Sequence, residues 1–170
     1  MLDETSAIHV AIIAEIARLL TQESVPFWLF GGWAVDFAVG HVTRPHRDIE
    51  WVIWGHDSDR VTRLLSARGY ALRAREEEAL TLVTQGIDVE FYVLVRDAHG
   101  CIITPGRWAQ WPWLPGAFAG AAGRIGEVAC PMISIETLLE TKEGYAQQTG
   151  LPLRPHDHAD IAWLRRLPRP

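Results

Sequence analysis

The chain has 170 residues, a formal net charge of −5 and hydrophobic side chains at 48% of its positions. This length fits one domain, with at most a small helical extension, and the apolar fraction is sufficient for a packed core. The acidic balance and the absence of a Lys/Arg run argue against a nucleic acid as the main partner. Glu15 and Arg18 interrupt the most apolar early stretch, residues 8–20, so we expect no membrane span and no membrane partner.

The spacing of apolar and turn-forming residues predicts an α/β (α+β) fold, with a mixed β-sheet, helices packed on one side and a C-terminal helical pair. The first predicted elements are, in chain order, a helix over 5–22, a strand over 25–30, a helix over 33–39, a strand over 48–54 and a helix over 58–67 capped by Asp57 or Ser58. Strands are then predicted over 71–75, 80–84, 87–95 and 128–133. The last two elements are a helix from Ser134 to about 148 and a helix capped by Asp157 to about 166. We expect a core at residues 1–130 and a helical extension at 131–170.

Residues 105–126 are rich in Gly, Pro, Ala and Trp and have no clear period. The segment is either a flexible surface loop or a cover for a pocket, and Trp108, Trp111 and Trp113 favour packing on a pocket. Tryptophan also favours subunit contacts, which leaves a homodimer open.

Two acidic residues lie two positions apart on the strand predicted over 48–54. Side chains two apart share a face of a strand, so Asp48 and Glu50 project together, with Cα atoms about 6.6 Å apart at roughly 3.3 Å per residue. Paired carboxylates bind a hard divalent cation, and water and phosphate oxygens complete its coordination shell. Alone, such a pair is more often a solvated sheet face.

A second strand repeats this pattern. Asp88 and Glu90 share one face of the strand predicted over 87–95, and apolar residues occupy the other face. Three or four carboxylates on two strands repel each other strongly unless a cation lies between them. Gly31 and Gly32 precede a short helix, where glycine leaves room for phosphate close to the backbone. The combination predicts metal-dependent phosphoryl chemistry.

The segment from Gly31 to Glu50 is GGWAVDFAVGHVTRPHRDIE. It resembles the signature of the aminoglycoside and lincosamide nucleotidyltransferases, in the nucleotidyltransferase superfamily related to DNA polymerase beta. The resemblance is strong over residues 27–54, weaker around Asp88 and weaker again over 133–163. It implies a nucleotidyltransferase fold and Mg²⁺-dependent transfer of a nucleoside monophosphate from an NTP, with ATP the expected donor. The implied acceptor is a hydroxyl of a small molecule, such as an aminoglycoside- or lincosamide-like antibiotic, and pyrophosphate is released.

The resemblance also implies roles for the four carboxylates. Asp48 and Glu50 would hold one or two Mg²⁺ ions on the triphosphate, although Glu50 stands where Asp is more common in the family. Asp88 matches the third carboxylate of the family, which coordinates metal, deprotonates the acceptor or does both. Glu90 is a second candidate for binding the acceptor or acting as the base.

The same resemblance points to groups that would bind the triphosphate. Gly31 and Gly32 would let it approach the amides that begin the following helix. Arg44 has the planar guanidinium that suits phosphate oxygens, and the alternative is an ion pair with a nearby acid. Lys142, on its predicted helix, either reaches the phosphates or is a solvated helical lysine.

Two further polar residues are expected to support the site. His46 lies two positions before Asp48, and we expect it to orient a carboxylate by a hydrogen bond rather than to ligate metal. Asp36, inside the short helix, is expected to order the loop at Thr43 and Arg44 rather than to take part in the chemistry.

Cysteine usage and the first residues bear on location. Cys101 and Cys130 give neither a disulfide framework nor metal-ligand spacing, so we expect buried thiols in a cytoplasmic protein. The start, Met1-Leu2-Asp3-Glu4, has no basic leader, which favours the same location.

Two other hypotheses stay open at this point. One makes His156, Asp157, His158 and Asp160 the metal site of a hydrolase, although the capped start of a helix is a simpler explanation of this cluster. The other treats the fold as a catalytically inactive module that binds a nucleotide or a partner.

Overall fold

The computed structural model describes residues 3–168. Its α-helices are α1 (Glu4–Gln22), α2 (Gly31–Val39), α3 (Ser58–Ser66), α4 (Ile135–Thr149) and α5 (Pro155–Leu164). Its strands are β1 (Phe27–Phe30), β2 (Asp48–Trp54), β3 (Ala71–Arg75), β4 (Ala79–Thr84), β5 (Ile87–Arg96), β6 (Ile102–Ile103), β7 (Gly123–Ile125) and β8 (Val128–Cys130). Met1, Leu2, Arg169 and Pro170, at the ends of the two expected segments, lie outside the described residues.

The main sheet has the strand order β1-β2-β5-β4-β3, and β6 pairs with β5. The pair β2 and β5 is parallel, and the other neighbours in this sheet are antiparallel. Strands β7 and β8 form a separate hairpin. A mixed sheet combined with helices confirms the predicted fold class.

The core lies between the sheet and the helices and contains several aromatic side chains. Trp51 of β2 stacks on Phe91 of β5, with ring centroids 6.2 Å apart, and contacts Phe27 edge-on at 5.7 Å. Trp33 of α2 is buried and donates its indole N–H to His9 Nδ1 over 3.0 Å. Apolar residues of α4 and α5 belong to the same buried cluster, and both helices pack against α2. These contacts place the C-terminal helices beside the carboxyl-bearing end of the sheet.

Several boundaries and one environment differ from the expectations. Helix α2 begins at Gly31 rather than Trp33, because Gly31 takes a φ of +64° that turns the chain directly from β1 into the helix. Helix α5 begins at Pro155, since proline suits the first helical position. Asp157 is therefore not the N-cap: it is the third helical residue, and its carboxylate accepts a hydrogen bond from the Arg154 backbone N–H. Cys101 is exposed rather than buried, because it follows an Asp97 turn at the surface.

The last predicted strand is divided. Strand β8 ends at Cys130, and Met132 then forms an isolated parallel bridge to Leu29 of β1. The Leu29 N–H donates to the Pro131 carbonyl, and the Ile133 N–H donates to the Leu29 carbonyl. Among residues 3–168, no helix combines the length and the apolar character that crossing a membrane requires.

Candidate active site

Four carboxylates lie on one face of the two parallel strands. Asp48 of β2 is level with Asp88 of β5, and Glu50 is level with Glu90. Residues in register on parallel strands project to the same side, and residues two apart do so as well. The structure therefore brings Asp48, Glu50, Asp88 and Glu90 to one surface of the sheet, as the sequence predicts.

Glu50 lies against the start of helix α2. The backbone N–H of Gly32 favours the charged form of Glu50. The Glu50 carboxylate also occupies the space that any side chain at position 31 would need, so only glycine fits there without a displacement of Glu50. Burial, followed by the charge of Asp48, raises the pKa of Glu50 to about 7, against an opposing effect of Lys142. The glycine pair therefore lets a carboxylate approach the helix start, a function that the sequence reasoning assigned to phosphate alone.

Gly32 serves a second close approach. A methyl group in place of its hydrogen would lie 2.5 Å from Arg44 Nη2 and 2.6 Å from His46 Nδ1. Such distances are shorter than carbon–nitrogen contacts allow. Glycine at both positions is thus required by the side chains that surround the helix start.

Asp36 organises the loop between α2 and β2. Its carboxylate is fully buried and accepts hydrogen bonds from the backbone N–H and the hydroxyl of Thr43, over 3.2 and 2.6 Å. The other oxygen lies 2.7 Å from His46 Nε2. The contacts of Asp36 are those expected from the sequence. His46 does orient a carboxylate, but that carboxylate is Asp36 and not Asp48.

A large cavity opens in front of Asp48 and Glu50. Its volume is about 1010 Å³, and it is bordered by the end of β1, the start of α2, the 44–50 segment, Tyr92, the 104–115 segment, α4 and the start of α5. Asp88 and Glu90 do not line it. A volume of this size is at the upper end of ordinary small-molecule sites, which leaves room for two molecules side by side.

Three of the cations that border the cavity are held by two buried carboxylates of helix α5. Arg44 contacts Asp160 through two nitrogens, at 3.1 and 2.9 Å. Lys142 lies 2.9 Å from Asp160 and 3.3 Å from Asp157. Arg154 contacts Asp157 at 2.7 and 3.0 Å. Asp157 and Asp160 are buried to 0% and 1% exposure, so they act as fixed anchors.

These contacts bear on the alternatives for Arg44 and Lys142. Arg44 forms the ion pair with a nearby acid, and it also lines the cavity. Lys142 is not a solvated helical lysine, because its side chain is 12% exposed and bridges both anchors.

Desolvation, followed by the charges of Arg154 and Arg44, lowers the pKa of His156. The neighbourhood of His156 is therefore positive.

Asp88 and Glu90 have different surroundings. The Asp88 carboxylate pairs with Arg73 of β3 at 2.6 Å, and both side chains are partly exposed. Glu90 is partly buried and accepts a hydrogen bond from the Tyr92 hydroxyl over 3.4 Å. Burial, followed by the charge of Asp48, raises the pKa of Glu90. Asp88 thus has a cationic partner on β3, and Glu90 lies beside a residue of the cavity wall.

The described residues contain no group of three or more His, Cys, Asp or Glu side chains arranged to hold a metal ion. The hydrolase hypothesis is not supported, because Asp157 and Asp160 are already paired with Arg44, Lys142 and Arg154. Asp48 and Glu50 are left without a salt-bridge partner among residues 3–168. A cation at this point would have two carboxylate oxygens from the protein and would need phosphate oxygens and water to complete its shell.

Several residues of the site were not identified from the sequence as part of it. Arg154 and the two anchors were assigned to a helix cap, and Tyr92 and Tyr145 were assigned no role. Arg154 stacks over the Tyr145 ring, 4.4 Å from its centroid. The high density of charged residues between Arg154 and Asp160 could have indicated these residues. Only folding, however, brings this segment next to Arg44, which lies more than a hundred residues earlier in the sequence.

The chain is similar to known proteins over most of its length. A model of the aminoglycoside-2''-adenylyltransferase family matches residues 12–164. A 2''-aminoglycoside nucleotidyltransferase of Klebsiella pneumoniae is 32% identical over 61 residues, which is 36% of this chain and 34% of that protein. The match thus spans about a third of the length of the curated relatives, and an Escherichia coli protein of the same description matches equally.

Two crystal structures share the fold. ANT(2'')-Ia in complex with adenylyl-2''-tobramycin superposes with a TM-score of 0.75 at 19% identity, covering 92% of this chain and 87% of that one. The lincosamide antibiotic adenylyltransferase LnuA, with lincomycin bound, gives a TM-score of 0.69 at 22% identity, covering 97% and 98%. The family match extends over the carboxylates, the cavity and the anchored cations together. The chain belongs to the aminoglycoside-2''-adenylyltransferase family, a family of nucleotidyltransferases.

Proposed function

We propose that the protein transfers a nucleoside monophosphate from an NTP, ATP first among them, to a hydroxyl of a small molecule. The acceptor oxygen forms a bond to the α-phosphorus, the bond from that phosphorus to the bridging oxygen breaks, and pyrophosphate leaves. The observation that supports this most is the position of the unpaired Asp48 and Glu50 at the wall of a cavity that three anchored cations also line.

Asp48 and Glu50 are the proposed ligands of Mg²⁺. Their charges repel each other, as the raised pKa of Glu50 indicates, and a divalent cation would remove this repulsion. Asp88 is the proposed third ligand. Its pair with Arg73 is partly exposed on both sides, so opening it would cost only about 0–1 kcal/mol. When bound, the metal would supply Lewis-acid stabilisation of the charge that develops on the phosphates.

Arg44, Lys142 and Arg154 are the proposed contacts of the triphosphate. Together they carry three positive charges against the two negative charges of Asp157 and Asp160. The surplus is available to a bound anion, and the anchors hold the side chains in place before it arrives. The start of α2, at Gly31 and Gly32, adds the positive end of a helix next to this group.

The acceptor hydroxyl must lose a proton as its oxygen attacks. We propose Asp88 as the base, with Glu90 the second candidate because its raised pKa makes it a stronger base than an ordinary carboxylate. Asp88→Asn and Glu90→Gln separate these roles in the pH dependence of kcat/KM. The variant that removes the base loses the fall in rate at low pH, and the other retains it.

Transfer of label from ATP carrying a radioactive α-phosphate tests the function directly. The wild type is expected to label an acceptor when Mg²⁺ is present, and Asp48→Asn is expected to be slower by about a thousandfold, on the order of 4 kcal/mol in the barrier. Asp59→Asn is the matched control, since Asp59 is an exposed acid paired with Arg75 away from the cavity. Equal labelling by wild type and Asp48→Asn would remove the proposal.

A further inference from the structure

Strand β3 contains a β-bulge at Arg73. Its pairing with β4 is regular on both sides of this residue but shifts between Leu72 and Ala74, so Arg73 has no partner in the register. A bulge adds one residue to a strand and re-aims the side chains around it. The direction of the Arg73 side chain is therefore set by a specific feature of the backbone and not by regular pairing.

The bulge sends the two arginines of β3 to opposite faces of the sheet. Arg73 contacts Asp88 of β5, on the face that carries the four carboxylates. Arg75 is level with Leu80, which belongs to the core, and contacts Asp59 of helix α3 over 2.6 Å. In a regular strand, residues two apart share one face, so the two arginines would have projected together. The bulge thus places Arg73, and not Arg75, beside Asp88.

The contact between Arg73 and Asp88 differs from the anchored ion pairs at the cavity. One nitrogen, Nη1, lies 2.6 Å from Oδ1 and 2.7 Å from Oδ2 of Asp88, whereas Arg44 contacts Asp160 through two nitrogens. The Arg73 and Asp88 side chains are 55% and 34% exposed, against 23% and 1% for Arg44 and Asp160. Exposed pairs of this kind are weak, so Arg73 can leave Asp88 at little cost.

One oxygen of Asp88 has bonding capacity that the protein does not use. Its Oδ1 atom is buried and accepts no hydrogen bond among residues 3–168, although Arg73 Nη1 lies against it. The hydrogen bond from Arg73 goes to the other oxygen, Oδ2. Buried carboxylate oxygens are normally hydrogen-bonded or bound to a cation. Arg73 covers Oδ1 while it stays in place, and its departure frees this oxygen for another cation.

The freed oxygen would be next to the proposed metal ligands. Asp88 is level with Asp48 on the neighbouring parallel strand, and adjacent strands lie about 4.8 Å apart. A cation between the two carboxylates would therefore be within reach of both. In the structure, however, Asp88 does not line the cavity as Asp48 and Glu50 do, and its carboxylate is paired with Arg73. Arg73 and a metal ion thus compete for the same group.

Resting on the proposed function, we propose that Arg73 is a positioning residue that acts through Asp88. It holds this carboxylate away from the metal site in the free protein and releases it when a divalent cation binds. Asp88 then joins Asp48 and Glu50, and Arg73 turns to the solvent, to which more than half of its side chain is already exposed. The third carboxylate is added to the site by this exchange of cations, which lowers the affinity for metal.

Binding of Mn²⁺, followed by the loss of the electron paramagnetic resonance signal of the free ion, measures the competition without turnover. Arg73→Ala is expected to bind Mn²⁺ about threefold to fivefold more tightly than the wild type, because Asp88 no longer exchanges partners. A merely structural role would give the opposite sign, since a disturbed strand would weaken the site. Arg73→Lys keeps a cation at this position and is expected to stay within about twofold of the wild type.

Two controls assign the effect to the pair. Arg75→Ala removes an equal charge from the same strand on the side of helix α3, and it is expected to change the Mn²⁺ affinity by less than about twofold. In an Asp88→Asn background the charged partner is gone, so Arg73→Ala is expected to lose its effect. This double-mutant cycle isolates the part of the effect that requires both residues.

The outcomes separate the role of Arg73 from the function on which it rests. Equal or weaker Mn²⁺ binding by Arg73→Ala, or an undiminished gain in the Asp88→Asn background, would overturn this role while nucleotidyl transfer stands. Absence of any protein-dependent Mn²⁺ binding by the wild type, with and without a non-hydrolysable ATP analogue, would instead remove the proposed function and the inference with it.

Discussion

Glu50 combines conditions that disfavour a charged carboxylate. It is partly buried against the start of α2, where desolvation disfavours its charge, and Asp48 and Glu90 add repulsion. Its pKa in the folded protein is about 7, against an ordinary value of 4.5. The folded state therefore binds more protons than the unfolded state between these values, and this group makes the free energy of unfolding fall as pH rises through that window.

Glu50→Gln is expected to remove this pH dependence in metal-free protein. The free energy of unfolding of the variant should exceed that of the wild type by an amount that grows from about pH 4.5 to about pH 7, reaching on the order of 1–3 kcal/mol. Urea denaturation across this range, with a chelator present, measures the difference. Adding Mg²⁺ should restore stability to the wild type at high pH and not to the variant. Parallel pH profiles of the two proteins would contradict this expectation.

Asp160 holds two of the three cations at the cavity. Asp160→Asn leaves Arg44 and Lys142 without a charged partner, so we expect a loss of about 1–3 kcal/mol in unfolding free energy. Affinity for an ATP analogue with Mg²⁺ should also fall, because the guanidinium and the ammonium group are no longer positioned. Denaturant unfolding and calorimetry measure the two effects.

Glu143→Gln provides the matched control for Asp160→Asn. Glu143 of α4 pairs with Arg165, just after α5, at 2.7 Å, so the pair joins the same helical region, but both side chains are exposed. Its loss should change the unfolding free energy by less than about 0.5 kcal/mol and leave nucleotide affinity unchanged. Equal effects of the two variants would show that the anchors do not position the cations.

The turn from β1 into α2 depends on backbone freedom and on empty space at one position. Gly31 has a φ of +64° and meets the Glu50 carboxylate. Gly69, after α3, has a φ of +88° and meets nothing within 4 Å. Alanine at Gly69 thus bears only the left-handed backbone cost, about 1–2 kcal/mol.

Gly31→Ala is expected to be more destabilising than Gly69→Ala. The added methyl group must displace Glu50 as well as adopt the left-handed backbone, so we expect a total of about 3 kcal/mol or more. The pH dependence attributed to Glu50 should also weaken, since that carboxylate leaves its position against the start of α2. Chemical denaturation of both variants makes the comparison, and equal losses would show that Glu50 yields without cost.

The sequence predicted most elements because their signals are local. The alternation of acidic and apolar residues placed β2 and β5, and the carboxylates Asp48, Glu50, Asp88 and Glu90 on one face. Apolar spacing and a cap at Ser134 predicted α4. The Ser134 hydroxyl does accept a hydrogen bond from the Thr137 N–H. Of the hairpin β7–β8, only β8 was predicted. Strand β7, Gly123–Ile125, lies in a segment without a periodic pattern of apolar residues, and it pairs only across a turn.

Contacts between distant segments could not be predicted. Nothing near Arg44 in sequence indicates that Asp160 anchors it, and nothing near Asp88 indicates that Arg73 of the exposed edge strand β3 reaches it. The sequence did not identify which carboxylate His46 contacts: it is Asp36 of α2, ten residues earlier. Such pairs depend on strand order and helix docking, which local patterns do not encode.

The distribution of charged side chains around the cavity predicts that nucleotide binding requires a metal ion. Arg44, Lys142 and Arg154 are largely compensated by Asp157 and Asp160, and Asp48 and Glu50 would repel a triphosphate. We therefore expect a non-hydrolysable ATP analogue to raise the thermal unfolding midpoint in Mg²⁺ and to have little effect in a chelator. Thermal unfolding in both conditions measures this. Equal stabilisation without metal would favour a binding module that lacks catalysis.

The position of a Mn²⁺ ion, located by its anomalous scattering in a crystal of the protein with a non-hydrolysable ATP analogue, is the most direct measurement. We predict an ion bound by Asp48 and Glu50, with the triphosphate contacting Arg44, Lys142 and Arg154 and the space before the 104–115 segment left for the acceptor. An ion at His156 and His158, or a triphosphate bound with no ion between Asp48 and Glu50, would contradict metal-dependent nucleotidyl transfer at this site.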